Sequence, residues 1–492
     1  MNTRVREPLR LVLLFLLLLA AFAYFNRDNN RRDHSVESRM ALVKAMVDDQ
    51  RFDIDAYHNS LFSTSDKAFS RGHYYSDKAI GVSLLGGIVY KWLLWLGAHT
   101  GWVLKFKYFR DVITILAVSI LAALIGPLLY VAVKRINPAA AAGPASLMAL
   151  ALALGTPYFK FSSSFYGHAL AGLFLFAAFM IWFIYRQSQA ISGPRIFLSG
   201  FLLGWAVITE YPTVLLAAAV GLYALFVLFG NRRLADWKPY ALMGAGALIP
   251  LSFLLIYNQI CFGNPFNLSY GYEATKTFHL AHSAGLFGVG WPNLRALFYM
   301  TIHPSMGIFW QSPLLLLAVP GWVYLFRSGR YRAEAWFTLL LVTFYFVFHS
   351  GYYMWWGYSF TPRHIIPVLP FFILPLAILP RRYLPFLGIA AALSIAQMLI
   401  VAAGNSDGLP QLLLPAFQAG TLASPPSIIY SIYLPNVLHG IYVHNLGETL
   451  FGLRGAAQFL PLALFESVIA LLLIALSVQP ERAELAASSE AI

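Results

Sequence analysis

Residues 11–25 read LVLLFLLLLAAFAYF and residues 26–39 read NRDNNRRDHSVESR, and the junction between these two stretches decides the fold. The first stretch carries no charge and is preceded by Arg4, Arg6 and Arg10. About 20 apolar residues span a bilayer as a helix, fewer where the helix stands straight or the bilayer is thin. Basic residues ahead of such a run mark its cytoplasmic end. The charged stretch that follows is then non-cytoplasmic. The run closes on Ala21-Phe22-Ala23, the small-residue pattern of a cleavable leader. It is read here as a retained first helix, because the charged loop after it needs an anchor beside the remaining helices.

The composition of the chain agrees with that reading. Of 492 residues, 59% are hydrophobic, 16% aromatic and only 11% charged, whereas soluble domains carry roughly 25% charged residues. No soluble core buries so much apolar surface, so lipid solvates most of it. The formal charge of +13 is spread over many short loops instead of one basic patch, which argues against a nucleic-acid partner. The single cysteine, Cys261, excludes an internal disulfide and a cysteine-based metal site.

Apolar runs of spanning character fall near 11–25, 109–133, 139–157, 169–185, 196–209, 212–230, 239–257, 311–326, 333–349, 364–380, 384–403 and 459–478. Lys134/Arg135, Arg186/Arg195, Arg232/Arg233/Lys238, Arg327/Arg330/Arg332, Arg381/Arg382 and Arg482 lie in alternate gaps between them. With the N-terminus in the cytoplasm, every one of these clusters is cytoplasmic, which is the positive-inside bias. The expectation is an all-α polytopic protein of the inner (plasma) membrane with about 12 spanning helices and both termini cytoplasmic.

Three non-cytoplasmic segments are longer than connectors need to be: 26–108, 258–310 and 404–458. The first holds nine acidic residues. Within it, 35–50 reads as a helix with Ser35 as N-cap, and 79–97 as an interfacial or re-entrant helix broken by glycines and Lys91. Residues 1–403 form the main membrane region, 404–458 an outer loop, 459–478 the last span and 479–492 a disordered cytoplasmic tail.

Three clusters carry groups able to do chemistry. Asp33-His-Ser-Val-Glu37-Ser-Arg39 puts carboxylates and an arginine at the outer surface. This is either a general-base site or a capped, solvated helix start favoured by the helix dipole. Tyr74-Tyr75-Ser76-Asp77-Lys78 puts an ammonium where a charged loop meets an apolar helix, either to hold a lipid phosphate or to snorkel. Trp355-Trp356-Gly357-Tyr358-Ser359-Phe360-Thr361-Pro362-Arg363-His364 sets Arg363 and His364 at the mouth of a span, among aromatics that also suit an interfacial belt. His168 and Glu210 stand near other outer helix ends. No P-loop, paired-cysteine motif, His-Glu-x-x-His or dinucleotide fingerprint is present, which argues against nucleotide-driven pumping and zinc hydrolysis.

Taken together, these segments resemble the GT-C superfamily of integral-membrane glycosyltransferases, among them protein O-mannosyltransferases and the lipid A aminoarabinose transferase. Val36-Glu37-Ser38-Arg39 resembles the Asp-Glu-x-Arg motif, Tyr75-Ser76-Asp77-Lys78 the lysine-containing motif, and Gly357 to Arg363 the late aromatic-glycine-proline-arginine segment. Thr209-Glu210-Tyr211-Pro212 and Gly307-Ile308-Phe309-Trp310-Gln311-Ser312-Pro313 are also similar to stretches of bacterial members. The likeness covers residues 1–380. It departs from the pattern at Val36, where the family has the first acidic residue of its pair. It implies a GT-C-like bundle and transfer of a sugar from a polyprenyl-phosphate donor to a glycan, lipid or protein hydroxyl at the outer face, with inversion. Glu37 or Asp33 would be the base. Arg39, Lys78, Arg363 and His364 would hold the donor phosphate, and Asp77, Tyr75, His168, Glu210 and Tyr358 would line the substrate pocket. The long segments 258–310 and 404–458 would shape the acceptor site. No metal or cofactor is expected. The competing readings are a transporter or flippase and an inactive relative that has lost the acid at position 36.

Overall fold

The computed structural model describes residues 3–25, 33–188, 191–230, 237–406 and 427–489. Among the described residues, nine helices are long and apolar enough to cross a membrane. Eight of them answer to expected spans, from Val5–Tyr24 to Gly455–Ser477. The ninth, Gly81–Thr100, is the stretch read from sequence as interfacial. Four expected spans are shorter helices: Ala142–Leu154, Gly193–Thr209, Pro313–Arg327 and Arg363–Ala377. The reason is local chemistry. Pro367 and Pro370 lack the N–H that an α-helix needs, and Arg363–Phe372 winds as a 3₁₀ helix instead. Ala142–Leu154 stops just before Gly155-Thr156-Pro157.

The helix His168–Ser188 is the most enclosed of the candidate spans. Beside it, Gly193–Thr209 and Lys238–Phe262 meet backbone to backbone. A Cβ on Gly200 would strike the Met243 carbonyl, and one on Gly246 the Phe197 carbonyl. Small residues substitute for the missing hydrophobic drive between helices in lipid by allowing this close dispersion contact. At the other end of the bundle from the outer segments, Glu334 is buried and receives Arg186 and the Tyr223 hydroxyl.

The first long segment is built against the bundle. Helix α1 (Thr3–Tyr24) precedes it. Helix α2 (His34–Asp48) starts one residue earlier than expected, and its N-cap is Asp33, not Ser35. Asp33 is extended and accepts from Ser35 N and Val36 N at 3.0 and 3.4 Å, where two otherwise orphaned donors lie. Strands β1 (Lys67–Ser70) and β2 (His73–Ser76) then form an antiparallel hairpin in an otherwise helical protein. Its two-residue turn has both φ values positive, 52° at Arg71 and 84° at Gly72, as a type I′ turn requires. The strands are four residues each and the turn lacks Asn-Gly, so no sequence rule announced them. Helix α3 (Gly81–Thr100) packs on α2, with Gly86 open to the Phe165 ring and Val43. The last helix, Leu460–Ser489, continues through most of the tail read as disordered. Part of the third outer segment, 407–426, lies outside the described residues, as do 26–32 of the first.

Candidate functional site

Strand β2 delivers Asp77 and Lys78. The Lys78 ammonium sits between two carboxylates, 2.8 Å from Asp66 Oδ2 and 2.7 Å from Asp77 Oδ2. Asp66 Oδ2 also accepts from Ser35 Oγ at 2.8 Å, which ties the lysine to the start of α2. Burial by itself would raise Asp66, but Lys78 and Ser35 outweigh it and hold the carboxyl at about 2. Burial likewise works against the Lys78 ammonium, yet Asp66, Asp77 and Glu273 overcome it and push its pKa up. Asp77 moves upward because it is buried and has Asp66 as a like-charged neighbour.

Glu273 comes from the second long segment. A backbone bridge of Ala68 with Glu273, and Ala274 N donating to Lys67 O at 2.9 Å, fasten that segment to β1. The Glu273 carboxyl is pushed up to about 10, by burial first and by the charge of Asp77 second. His282 Nδ1 lies 3.5 Å from Glu273 Oε1. Burial and the nearby Lys78 charge bring His282 down to about 4.

A second group is organised by Tyr166. Its hydroxyl donates to Asp33, with both carboxylate oxygens at 2.8 Å, and accepts from Arg363 Nη1 at 3.0 Å. The Arg39 and Arg363 guanidinium carbons stand 5.2 and 5.1 Å from the Tyr166 ring centroid. Both are cation–π contacts and leave the polar edges for other partners. The turn before Arg363 has positive φ at Gly357 (64°) and Tyr358 (47°). A Cβ on Gly357 would come within 2.9 Å of Arg363 Cγ, so glycine is needed there for both conformation and space.

Arg39 Nη2 reaches Glu210 Oε1 at 3.4 Å, and His168 Nδ1 lies 3.5 Å from the same oxygen. The Glu210 carboxyl is shifted upward by burial, against the opposing pull of Arg39. The His168 ring meets His364 edge-on at 5.5 Å, and His364 stacks on His349 at 5.6 Å.

These groups surround one cavity of about 520 Å³. Of the residues singled out from sequence, Asp33, Arg39, Asp77, Lys78, His168, Glu210, Tyr358, Arg363 and His364 line it. Two do not. Tyr75 is buried with its ring edge-on to Phe262 at 5.8 Å. Glu37, in the first turn of α2, is buried and held by Arg110, Nε to Oε1 at 3.0 Å and Nη2 to Oε2 at 2.7 Å. The carboxylate offered as first choice of base therefore faces an arginine and not the cavity, and only Asp33 of that pair reaches it. Asp66, Lys160, Tyr166, Glu273 and His282 line the cavity and were missed. Asp66, Glu273 and His282 have no motif around them, whereas Tyr166 stands two residues before His168 and Lys160 is one of the few basic residues of its side. For Asp66 the aspartate count in the first segment was the only signal, and it did not single that residue out. Every stretch that lines the cavity, in 33–79, 160–168, 210, 270–282, 352–364, 405–406 and 443, belongs to or borders a segment that the charge bias assigned to one side.

Among the described residues, Asp53, Asp55 and His73 are grouped closely enough to offer ligands to a metal. Asp53 is already paired with Arg51 and Asp55 with His73, each at 2.7 Å. Inside the cavity, the Lys78 ammonium occupies the place between carboxylates where a cation would sit.

No family model and no curated protein matches the chain. Solved structures similar to it include the Archaeoglobus fulgidus oligosaccharyltransferase in its apo form, at 12% identity over 94% of this chain and 56% of that one, TM-score 0.39. Another is the archaeal oligosaccharyltransferase AglB from Archaeoglobus fulgidus in complex with an inhibitory peptide and a dolichol-phosphate, at 12% identity over 95% and 56%, TM-score 0.36. The chain spans little more than half the length of these structures. Likeness at such scores carries no argument about activity.

Proposed function

We propose that the protein is a membrane glycosyltransferase that moves a sugar from a polyprenyl-phosphate donor to an acceptor hydroxyl at the non-cytoplasmic face. One observation carries this reading. Segments remote in sequence, all assigned to one side by the charge bias, bring Arg39, Lys78, Arg363 and the acid Asp33 around a single cavity. A cavity of mixed polar and apolar lining with fixed cations fits an anionic, lipid-anchored substrate arriving from the bilayer.

In the proposed step the acceptor oxygen attacks the anomeric carbon from the face opposite the phosphate. The bond from that carbon to the phosphate oxygen breaks, and the acceptor proton passes to the Asp33 carboxylate. The product glycoside has inverted configuration. The lipid phosphate leaves with one more negative charge than it had in the donor. Arg363 and Lys78, fixed where that charge appears, then act more strongly on the transition state than on the ground state. Tyr166 holds Asp33 and Arg363 two hydrogen bonds apart, so base and phosphate-binding cation keep a fixed separation. A positioned base contributes typically 10²–10⁴-fold. Glu37, tied to Arg110, shapes the first segment and takes no proton.

The test is transfer from radiolabelled polyprenyl-phosphate sugars in membranes containing wild type, Asp33→Asn or Lys78→Ala. Loss of product in both variants is the expected result. Equal transfer by all three would end the assignment.

A further inference from the structure

Glu273 and His282 line the same cavity as Lys78, and no motif points to them. Both are more than nine-tenths buried, at 7% and 8% exposure. Glu273 Oε2 has no hydrogen-bond partner among the described residues, and His282 Nδ1 has only a 3.5 Å approach to Glu273 Oε1, too poorly aligned for a hydrogen bond. A buried polar atom left unmatched is costly, so one that persists beside a cavity calls for an explanation, and a polar group entering that cavity supplies it. The remaining polar edge is committed. His282 Nε2 lies 3.2 Å from the Tyr352 hydroxyl, and its ring is stacked on Tyr270, centroids 4.4 Å apart and planes within 2°. The pair is therefore held rigidly and offers hydrogen-bonding atoms beside aromatic rings. Adjacent hydroxyl groups and the apolar C–H face of a sugar ring present the matching features.

We infer that Glu273 and His282 form a subsite for the sugar of the donor, hydrogen-bonding neighbouring hydroxyls while Lys78 holds the phosphate. This rests on the proposed glycosyltransferase reading and assigns part of the 258–310 segment to the donor, where the sequence reading gave it to the acceptor. Closeness to Lys78 is the reason. Glu273 bridges to Ala68 of β1, whose partner β2 leads into Lys78, and both residues line the same cavity, so a ligand touching Glu273 is placed on the side where Lys78 holds the phosphate.

The experiment measures binding to the full-length, detergent-purified protein. The probes are a polyprenyl phosphate and the same lipid phosphate carrying a single mannose or glucose. Wild type should bind one of the hexose-bearing lipids roughly tenfold or more tightly than the bare phosphate, the equivalent of one to two net hydrogen bonds. Glu273→Ala and His282→Ala should each lose most of that advantage, with affinity for the bare lipid within about twofold of wild type. An unchanged hexose advantage in both variants would overturn the subsite, and so would an equal fall in both affinities in both variants. Wild type binding all three lipids alike would also overturn it while leaving the glycosyltransferase reading intact. Binding none of them would remove that reading itself.

Discussion

Glu37 and Arg110 face each other edge to edge, Nε to Oε1 at 3.0 Å and Nη2 to Oε2 at 2.7 Å, across 73 residues of sequence. The Arg110 guanidinium also donates to the Leu61 carbonyl at 3.0 Å and lies 4.8 Å from the centre of the Phe62 ring. One arginine thus joins α2, the 61–62 loop and the start of the second span. A bidentate pair of this kind is geometrically specific, and removing one partner leaves the other charge buried.

Arg110→Ala should therefore lower stability by about 3–5 kcal/mol, and the transfer rate per folded molecule should stay near wild type. A thermal melt in detergent, set beside initial rates normalised to folded protein, checks both. Glu37→Gln with wild-type melting and no transfer would instead make Glu37 part of the chemistry.

Tyr166→Phe keeps the ring beside Arg39 and Arg363 but removes the hydroxyl that positions Asp33 against Arg363. Hydrogen bonds to charged groups contribute about 1.5–3 kcal/mol, so kcat should fall roughly 10–100-fold. The KM for donor should change less, because Lys78 and Arg363 both remain. A change confined to KM would show that Tyr166 serves binding alone.

Glu273 gives a pH dependence with a definite sign. Its carboxyl lies at about 10 against an ordinary 4.5, raised by burial and then by Asp77. Between those values the folded state holds a proton that the unfolded state releases. The stabilisation is complete below pH 4.5 and is lost as the pH rises toward 10. Wild type should weaken over that interval by at most about 1.4 kcal/mol per pH unit. Glu273→Gln, permanently neutral, should flatten the curve and melt higher than wild type at pH 9. Parallel melting curves from pH 5 to 9 would contradict the protonated state.

Gly357→Ala tests how Arg363 is aimed. Its φ of 64° is costly for alanine, and the added Cβ would press on Arg363 Cγ at 2.9 Å. Stability should fall by about 1–2 kcal/mol. Transfer should fall by more than that loss of folded protein accounts for, because Arg363 shifts away from Tyr166. Rates and melts on one preparation separate the two effects.

Much of the site was legible because its cations stand at punctuated places in the sequence. Lys78 marks the end of a charged loop, Arg363 follows a Trp-Gly-Tyr turn, and Arg39 sits one turn into a helix announced by its acids. Their neighbours Asp66, Tyr166, Glu273 and His282 carry no such mark. Asp66 is one acid among nine in its segment, and Glu273 meets Lys78 only because its backbone bridges to β1. The hairpin that makes this bridge was itself unreadable, since two four-residue strands with an Arg-Gly turn fall below what local propensity can signal.

The amino-acid order alone determined that lipid is the solvent of this chain and where most of the apolar helices run. Hydropathy and charge bias are sums over contiguous residues, so no partner is needed to read them. Which carboxylate faces the cavity was decided only by tertiary structure. Asp33 and Glu37 lie one helical turn apart with the same local chemistry, yet Tyr166 takes the first and Arg110 the second. Those partners arrive from 133 and 73 residues away, brought by a loop and a helix whose packing no local pattern encodes.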